Sequence, residues 1–86
     1  MKVLLPLTKY PKLDVHGETR DTVYTTIKNF IFDNIKLKNQ VIVIVHGKGQ
    51  GVLKEEIHFR LKTMKEVKSY HLDSWNQCVT IVELNI

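Results

Sequence analysis

Val41-Ile42-Val43-Ile44-Val45-His46-Gly47-Lys48-Gly49-Gln50-Gly51, residues 41–51, is the stretch on which the fold turns. Five consecutive β-branched side chains resist helix and suit a pleated strand. A strand apolar at every position has no face left for water, so it predicts a central strand of a parallel sheet, covered on both sides. His46-Gly47 ends the run, and three alternating glycines follow as a loop. Beyond the loop, Leu53, Ile57, Leu61 and Met64 recur at helical spacing, which predicts an amphipathic helix with Lys54, Glu55, His58 and Lys62 outward.

Upstream, Lys12-Leu13-Asp14-Val15-His16 alternates polar and apolar, the signature of a strand covered on one face. Gly17 ends it and Thr19 is a suitable N-cap. Val23, Ile27, Phe30, Ile31 and Ile35 then form one stripe of a helix. Thr25 and Thr26 lower its intrinsic propensity, so packing must hold it. Downstream, Val67–Leu72 and Cys78–Leu84 read as two short strands joined through Asp73-Ser74-Trp75-Asn76-Gln77 as a hairpin.

The order is β-α-β-α-β-β. Right-handed crossovers place both helices on one side of the sheet. The expected fold is therefore α/β, an α+β two-layer sandwich. A mixed four-stranded sheet carries two helices on one face, and its other face is partly covered. Residues 1–12 are expected as an N-terminal extended segment and 13–86 as the domain.

Eighty-six residues leave room for one domain and one core. Hydrophobic residues at 43% and charged residues at 26% are ordinary for a soluble globular chain and argue against disorder. Cys78 is the single cysteine, so neither an internal disulfide nor a cysteine zinc cluster is available. The lone thiol fits a reducing cytoplasm. The apolar start, 3–7, is interrupted by Pro6 and is too short for a secretory core. No stretch approaches the roughly 20 apolar residues of a membrane span. A soluble, cytoplasmic, monomeric protein with no membrane partner is expected.

The net charge is +4, unevenly distributed. Residues 36–68 carry eight basic side chains against three acidic, whereas residues 13–35 carry two against four. Such asymmetry is compatible with a basic face for a phosphate backbone, and also with lysines that merely solvate a helix.

Chemistry concentrates in the two turns that leave the parallel strands, each beginning His-Gly: His16-Gly17 and His46-Gly47. Ligands of open α/β sheets gather at such strand ends. In the second turn Gly47, Gly49 and Gly51 let the backbone approach a ligand, Lys48 adds a charge, and a helix N-terminus follows. A phosphate is the natural guest, although glycines in this place also serve simply to turn the chain. The loop has neither the Gly-Lys-Ser/Thr triplet of a P-loop nor the spacing of a dinucleotide fingerprint. Strand parity puts Asp14 and His16 on one face, where the carboxylate can orient the imidazole for proton transfer.

Leu13-Asp14-Val15-His16-Gly17 resembles the L-D-x-H-G motif of Smr (small MutS-related) domains. His46-Gly47-Lys48-Gly49-Gln50-Gly51-Val52-Leu53 resembles their H-G-x-G-x-G-x-L motif. The two stand in the family's order with a helix between them, and the resemblance covers residues 13–84. It implies a fold similar to the C-terminal domain of translation initiation factor three. It also implies nucleic-acid binding, with nicking of DNA or cleavage of RNA in several members and work on ribosomes in some bacterial ones. The family's closing G-G-x-G-x-T-x-V-x-L segment is only partly matched. Thr80, Val82 and Leu84 fit, while Trp75, Asn76 and Cys78 stand where glycines are usual.

The resulting expectation is an endonuclease acting on DNA or RNA, with a non-catalytic nucleic-acid or ribosome docking module as the alternative. Asp14, His16 and His46 are the candidate catalytic residues, His46 complementing His16 as acid or base. Gly47, Lys48, Gly49, Gly51, Lys54 and Arg20 are the candidate phosphate-binding residues. Asp14 and His16 are adequate ligands for a divalent cation such as Mg, but too few carboxylates converge for a two-metal site.

Overall fold

The computed structural model describes residues 9–47 and 51–86. Its elements are β1 (Lys12–Asp14), α1 (Arg20–Lys36), β2 (Val41–Val45), α2 (Val52–Thr63), β3 (Val67–Leu72) and β4 (Val79–Leu84). The strands form one sheet in the order β1-β2-β4-β3, with β1 parallel to β2 and the other two pairings antiparallel. Of the expected N-terminal segment, residues 1–8 lie outside the described residues, and Lys12 already belongs to β1.

β1 ends two residues earlier than its alternation predicts. The Asp14 carboxylate accepts the backbone N–H of His16 at 3.1 Å, which draws the chain out of the ladder after Val15 has donated to the Val45 carbonyl at 2.8 Å. A short polar side chain that bonds its own backbone competes with sheet in this way.

α1 starts at Thr19, whose N–H donates to Thr22 Oγ1 at 3.3 Å. The Glu18 carboxylate accepts the Thr22 and Thr26 hydroxyls at 3.2 and 2.9 Å, so two residues of low helix propensity are tied to the first turns. At the other end the buried Asn34 donates to the Phe30 carbonyl and accepts from Asn39. Arg60 of α2 lies 4.6 Å from the Tyr24 ring of α1 while bonding Glu56, a cation–π contact that joins the two helices.

Between helices and sheet, Val23, Ile27 and Ile31 of α1 and Ile57 and Leu61 of α2 pack with Val15, Ile42, Ile44, Val82 and Leu84. Each such side chain contributes about 1.5–3 kcal/mol by leaving water. Both helices thus cover one face. On the other, Val43, Val79 and Ile81 are buried at the centre, while Lys12, Asp14, Ser69 and His71 are exposed towards the edges. Val45 pairs with Val79. One end of the sheet therefore collects the turn after β1, the turn after β2 and the β3–β4 connection.

Candidate functional site

The turns after β1 and β2 touch. A Cβ built on Gly47 would stand 3.4 Å from the Cβ of His16, and Gly47 has φ +75°. The Cys78 carbonyl accepts the N–H groups of both His46 and Gly47, at 2.9 and 3.1 Å, and so fastens the start of β4 to the same place.

On the outer side of this junction, Asp14 Oδ1 lies 2.5 Å from His16 Nδ1. The carboxylate only accepts, so Nδ1 carries the proton and the neutral ring presents an unprotonated Nε2. The hydrogen bond that His16 donates to Asp14 raises the His16 pKa and lowers that of Asp14. The His16 side chain is 72% exposed. This is an oriented, solvent-facing base.

His46 is turned the other way, against the expectation of a second exposed imidazole complementing His16. Residues 42, 44 and 46 share the helix-facing side of β2 and its continuation, and His46 is 4% exposed. Its Nδ1 donates to the Gly47 carbonyl at 3.1 Å. Nε2 of the neutral ring must then accept the Thr80 hydroxyl, 2.9 Å away. Thr80 has one proton to give, so His58 Nε2, at 2.8 Å from the same oxygen, is the donor in that bond. The His58 ring packs edge-on against Tyr70, with centroids 5.0 Å apart. Burial pushes both imidazoles below their ordinary pKa; the nearby Lys54 charge lowers each further, and the charge of His46 also acts on His58.

His58 is the residue that the helical pattern misplaces. It was expected outward beside Lys54, yet it flanks the buried stripe and turns onto Thr80. The available signal is the position of Thr80, a lone hydroxyl in an apolar strand.

Of the phosphate-binding candidates, Gly47 and Gly51 both have positive φ, and Gly51 is the N-cap of α2. Lys48 and Gly49 lie outside the described residues. Lys54 is half-buried in the first turn of α2. Arg20 opens α1, where it shares a cavity of about 210 Å³ with Val52, Glu55 and Glu56. Glu56 is already bonded to Arg60 at 2.7 Å. Among the described residues no three His, Cys, Asp or Glu side chains converge as a metal-binding group. No helix there is long and apolar enough to cross a membrane.

The sequence model of the Smr domain matches residues 13–85. Endonuclease MutS2 of Caldanaerobacter subterraneus is 37% identical over 78 residues, covering 87% of this chain and 10% of the relative. Endonuclease MutS2 of Caldicellulosiruptor saccharolyticus is 36% identical over 75 residues, covering 84% and 10%. The chain thus spans about a tenth of the length of these relatives. The crystal structure of the Smr domain of Thermus thermophilus MutS2 matches with a TM-score of 0.85 at 24% identity, covering 88% of this chain and 99% of that one. YdaL, a stand-alone small MutS-related protein from Escherichia coli, matches at 0.82 and 17% identity, covering 90% and 68%. These two structures share the fold, and the family match spans nearly the whole sequence: the chain belongs to the Smr domain family.

Proposed function

We propose that this Smr domain grips the backbone of DNA or RNA at the junction of its two His-Gly turns and cleaves a phosphodiester there. The observation that carries the proposal is the Asp14-oriented, exposed His16 ring, whose Cβ lies beside Gly47. Names of the relatives support it, since the MutS2 proteins are called endonucleases.

In this reading His16 Nε2 takes a proton from the attacking oxygen, either water or, on RNA, the 2′-hydroxyl. The oxygen bonds to phosphorus, the bond to the leaving oxygen breaks, and the imidazolium or water returns a proton to it. Backbone N–H groups of the first turn of α2, which Gly51 caps, hold the non-bridging oxygens as charge develops. Lys48, Lys54 and Arg20 add positive charge. His46 holds the Gly47 carbonyl and so positions the turn. Asp14 is a single carboxylate whose Oδ1 is committed to His16, a poor fit for a divalent cation such as Mg.

The test is nicking of supercoiled DNA and cleavage of single-stranded RNA, with and without magnesium. His16→Ala is expected to lose about 10²–10⁴-fold in rate. Undiminished cleavage by that variant would dismiss the mechanism. One observation favours a docking-only module instead: the inward turn of His46 leaves no second imidazole beside His16 to share the acid–base work. Salt-dependent binding with no cleavage of either substrate would establish that second reading.

A further inference from the structure

The β3–β4 connection carries a side chain that neither the fold nor the proposed chemistry uses. Trp75 is 95% exposed. An indole is a costly group to leave in water, since it gives up the burial that ordinarily makes tryptophan stabilising. The turn beneath it is closed without its help. Asp73 Oδ2 accepts the Asn76 N–H at 2.9 Å, Asn76 Oδ1 accepts the Cys78 N–H at 3.0 Å, and Asp73 donates to the Val79 carbonyl at 3.0 Å. These bonds hold the turn while the ring stands outside it.

The position of the turn says what the ring is for. Cys78, three residues after Trp75, accepts the N–H groups of His46 and Gly47. Three residues reach at most about 11 Å. The Trp75 backbone is therefore tethered close to Gly47, against which His16 Cβ lies, and its long side chain starts from there. A nucleotide is a ligand that brings an anion and a flat aromatic face together, and it offers that face only when the base is unpaired. Bases inside a duplex are already stacked on one another.

We propose that Trp75 is a stacking platform for one unpaired base next to the phosphate held beside His16, so that this domain prefers single-stranded or bulged nucleic acid to continuous duplex. The proposal rests on the nucleic-acid reading above and adds the class of substrate. It locates the preference in a residue that stands where the family pattern has glycine.

Trp75 is the single tryptophan of the chain, so its emission reports on this contact alone. The experiment titrates the full chain with oligothymidine, a blunt duplex and the same duplex carrying a one-nucleotide bulge. Indole emission and the anisotropy of labelled oligonucleotides are followed together. Oligothymidine and the bulged duplex are expected to quench the indole and to bind about tenfold more tightly than the blunt duplex. Trp75→Ala should erase that tenfold preference and leave blunt-duplex affinity and its salt slope unchanged, and Trp75→Phe should keep part of the preference. Binding seen by anisotropy with unaltered indole emission would overturn the platform while sparing the phosphate site. A preference that survives in Trp75→Ala would do the same. No anisotropy change with any of the three oligonucleotides would overturn the phosphate-site reading and the platform with it.

Discussion

The two His-Gly turns are the same dipeptide at the ends of neighbouring parallel strands, yet their imidazoles have opposite fates. His16 faces water, is bonded to a carboxylate and has a raised pKa. His46 is buried, is bonded to a hydroxyl and a carbonyl, and has a lowered one. Parity makes the difference. In β1 the helix-facing residues are the odd ones, Leu13 and Val15, so His16 falls outside; in β2 they are the even ones, Ile42 and Ile44, so His46 falls inside. A one-residue offset separates a group suited to moving protons in solvent from one suited to holding a turn in place.

The largest expected effect separates the two in a single pair of variants. His16→Ala should lower cleavage by about 10²–10⁴-fold at little cost in stability, because an exposed ring holds little of the fold. His46→Ala should do the reverse to the fold: about 1–3 kcal/mol of stability is lost as the buried Thr80 hydroxyl loses its acceptor and the Gly47 carbonyl its donor. Paired single-turnover assays and chemical denaturation check both. If His46→Ala abolished cleavage without touching stability, the two turns would be chemically equivalent and the contrast would fail.

Next in size is the inner cluster itself. Thr80→Val keeps the shape of the side chain and removes the oxygen that His46 and His58 share, at an expected cost of about 1–3 kcal/mol. The cluster also sets a pH dependence. Both inner imidazoles are held below the ordinary value of about 6.5, so the folded state binds fewer protons than the unfolded chain. Their contribution is complete above about pH 6.5 and drains as pH falls towards the lowered folded values. The outer pair behaves oppositely. His16, raised, contributes below about pH 6.5 and loses that as pH rises through its folded value. Asp14, lowered, contributes above about pH 4 and loses that as pH falls through its own. Calorimetry between pH 7.5 and pH 5, at values taken as roughly bracketing an imidazole titration, compares the wild type with His58→Gln, in which the opposing contribution of His16 is unchanged. On acidification the wild-type midpoint should lose ground relative to that of His58→Gln. An equal slope in both would exclude His58 from the linkage.

How much of this could be read beforehand depends on how each strand hides or displays its parity. β1 alternates Lys12, Leu13, Asp14, Val15, so the outward direction of His16 beside Asp14 was legible. β2 is apolar at all five positions, which announces a central strand but erases the mark that tells one face from the other. The inward turn of His46 therefore stayed hidden until β2 was registered against Thr80 and Val82 of β4. His58 was hidden for a related reason. A helical stripe drawn from Ile57 and Leu61 gives the centre of the buried face but not its width, and a polar residue on its flank reads as solvent-facing unless its partner is known. The order of the elements, by contrast, depends only on periodicity and turn residues, and all six came through.

The Asp14–His16 pair offers a smaller, more specific effect. With His16 as base, the cleavage rate should rise with pH to a plateau reached above about pH 6.5, because Asp14 favours the protonated ring. Asp14→Asn removes that bias. The ascending limb should move down towards about 6.5 as the ring loses its orientation, and the plateau should fall by about tenfold or more. A titration of the His16 ring by NMR should shift in the same direction. A limb that stays in place would show that another group limits the rate.

The smallest effect tests whether the turns press on each other at all. Gly17 and Gly47 both sit at positive φ, +89° and +75°, where an L side chain costs about 1–2 kcal/mol. A Cβ at Gly17 meets nothing within 4 Å, whereas one at Gly47 comes to 3.4 Å from His16 Cβ. Gly17→Ala should therefore show the backbone cost alone. Gly47→Ala should show that cost and a further few tenths of a kcal/mol, because the turn after β1 has to give way. Denaturation curves measured side by side decide it. Equal losses, or a larger loss at Gly17, would mean that the turn after β1 yields freely at this contact, and the backbone at Gly47 would then have no steric hold on the position of His16.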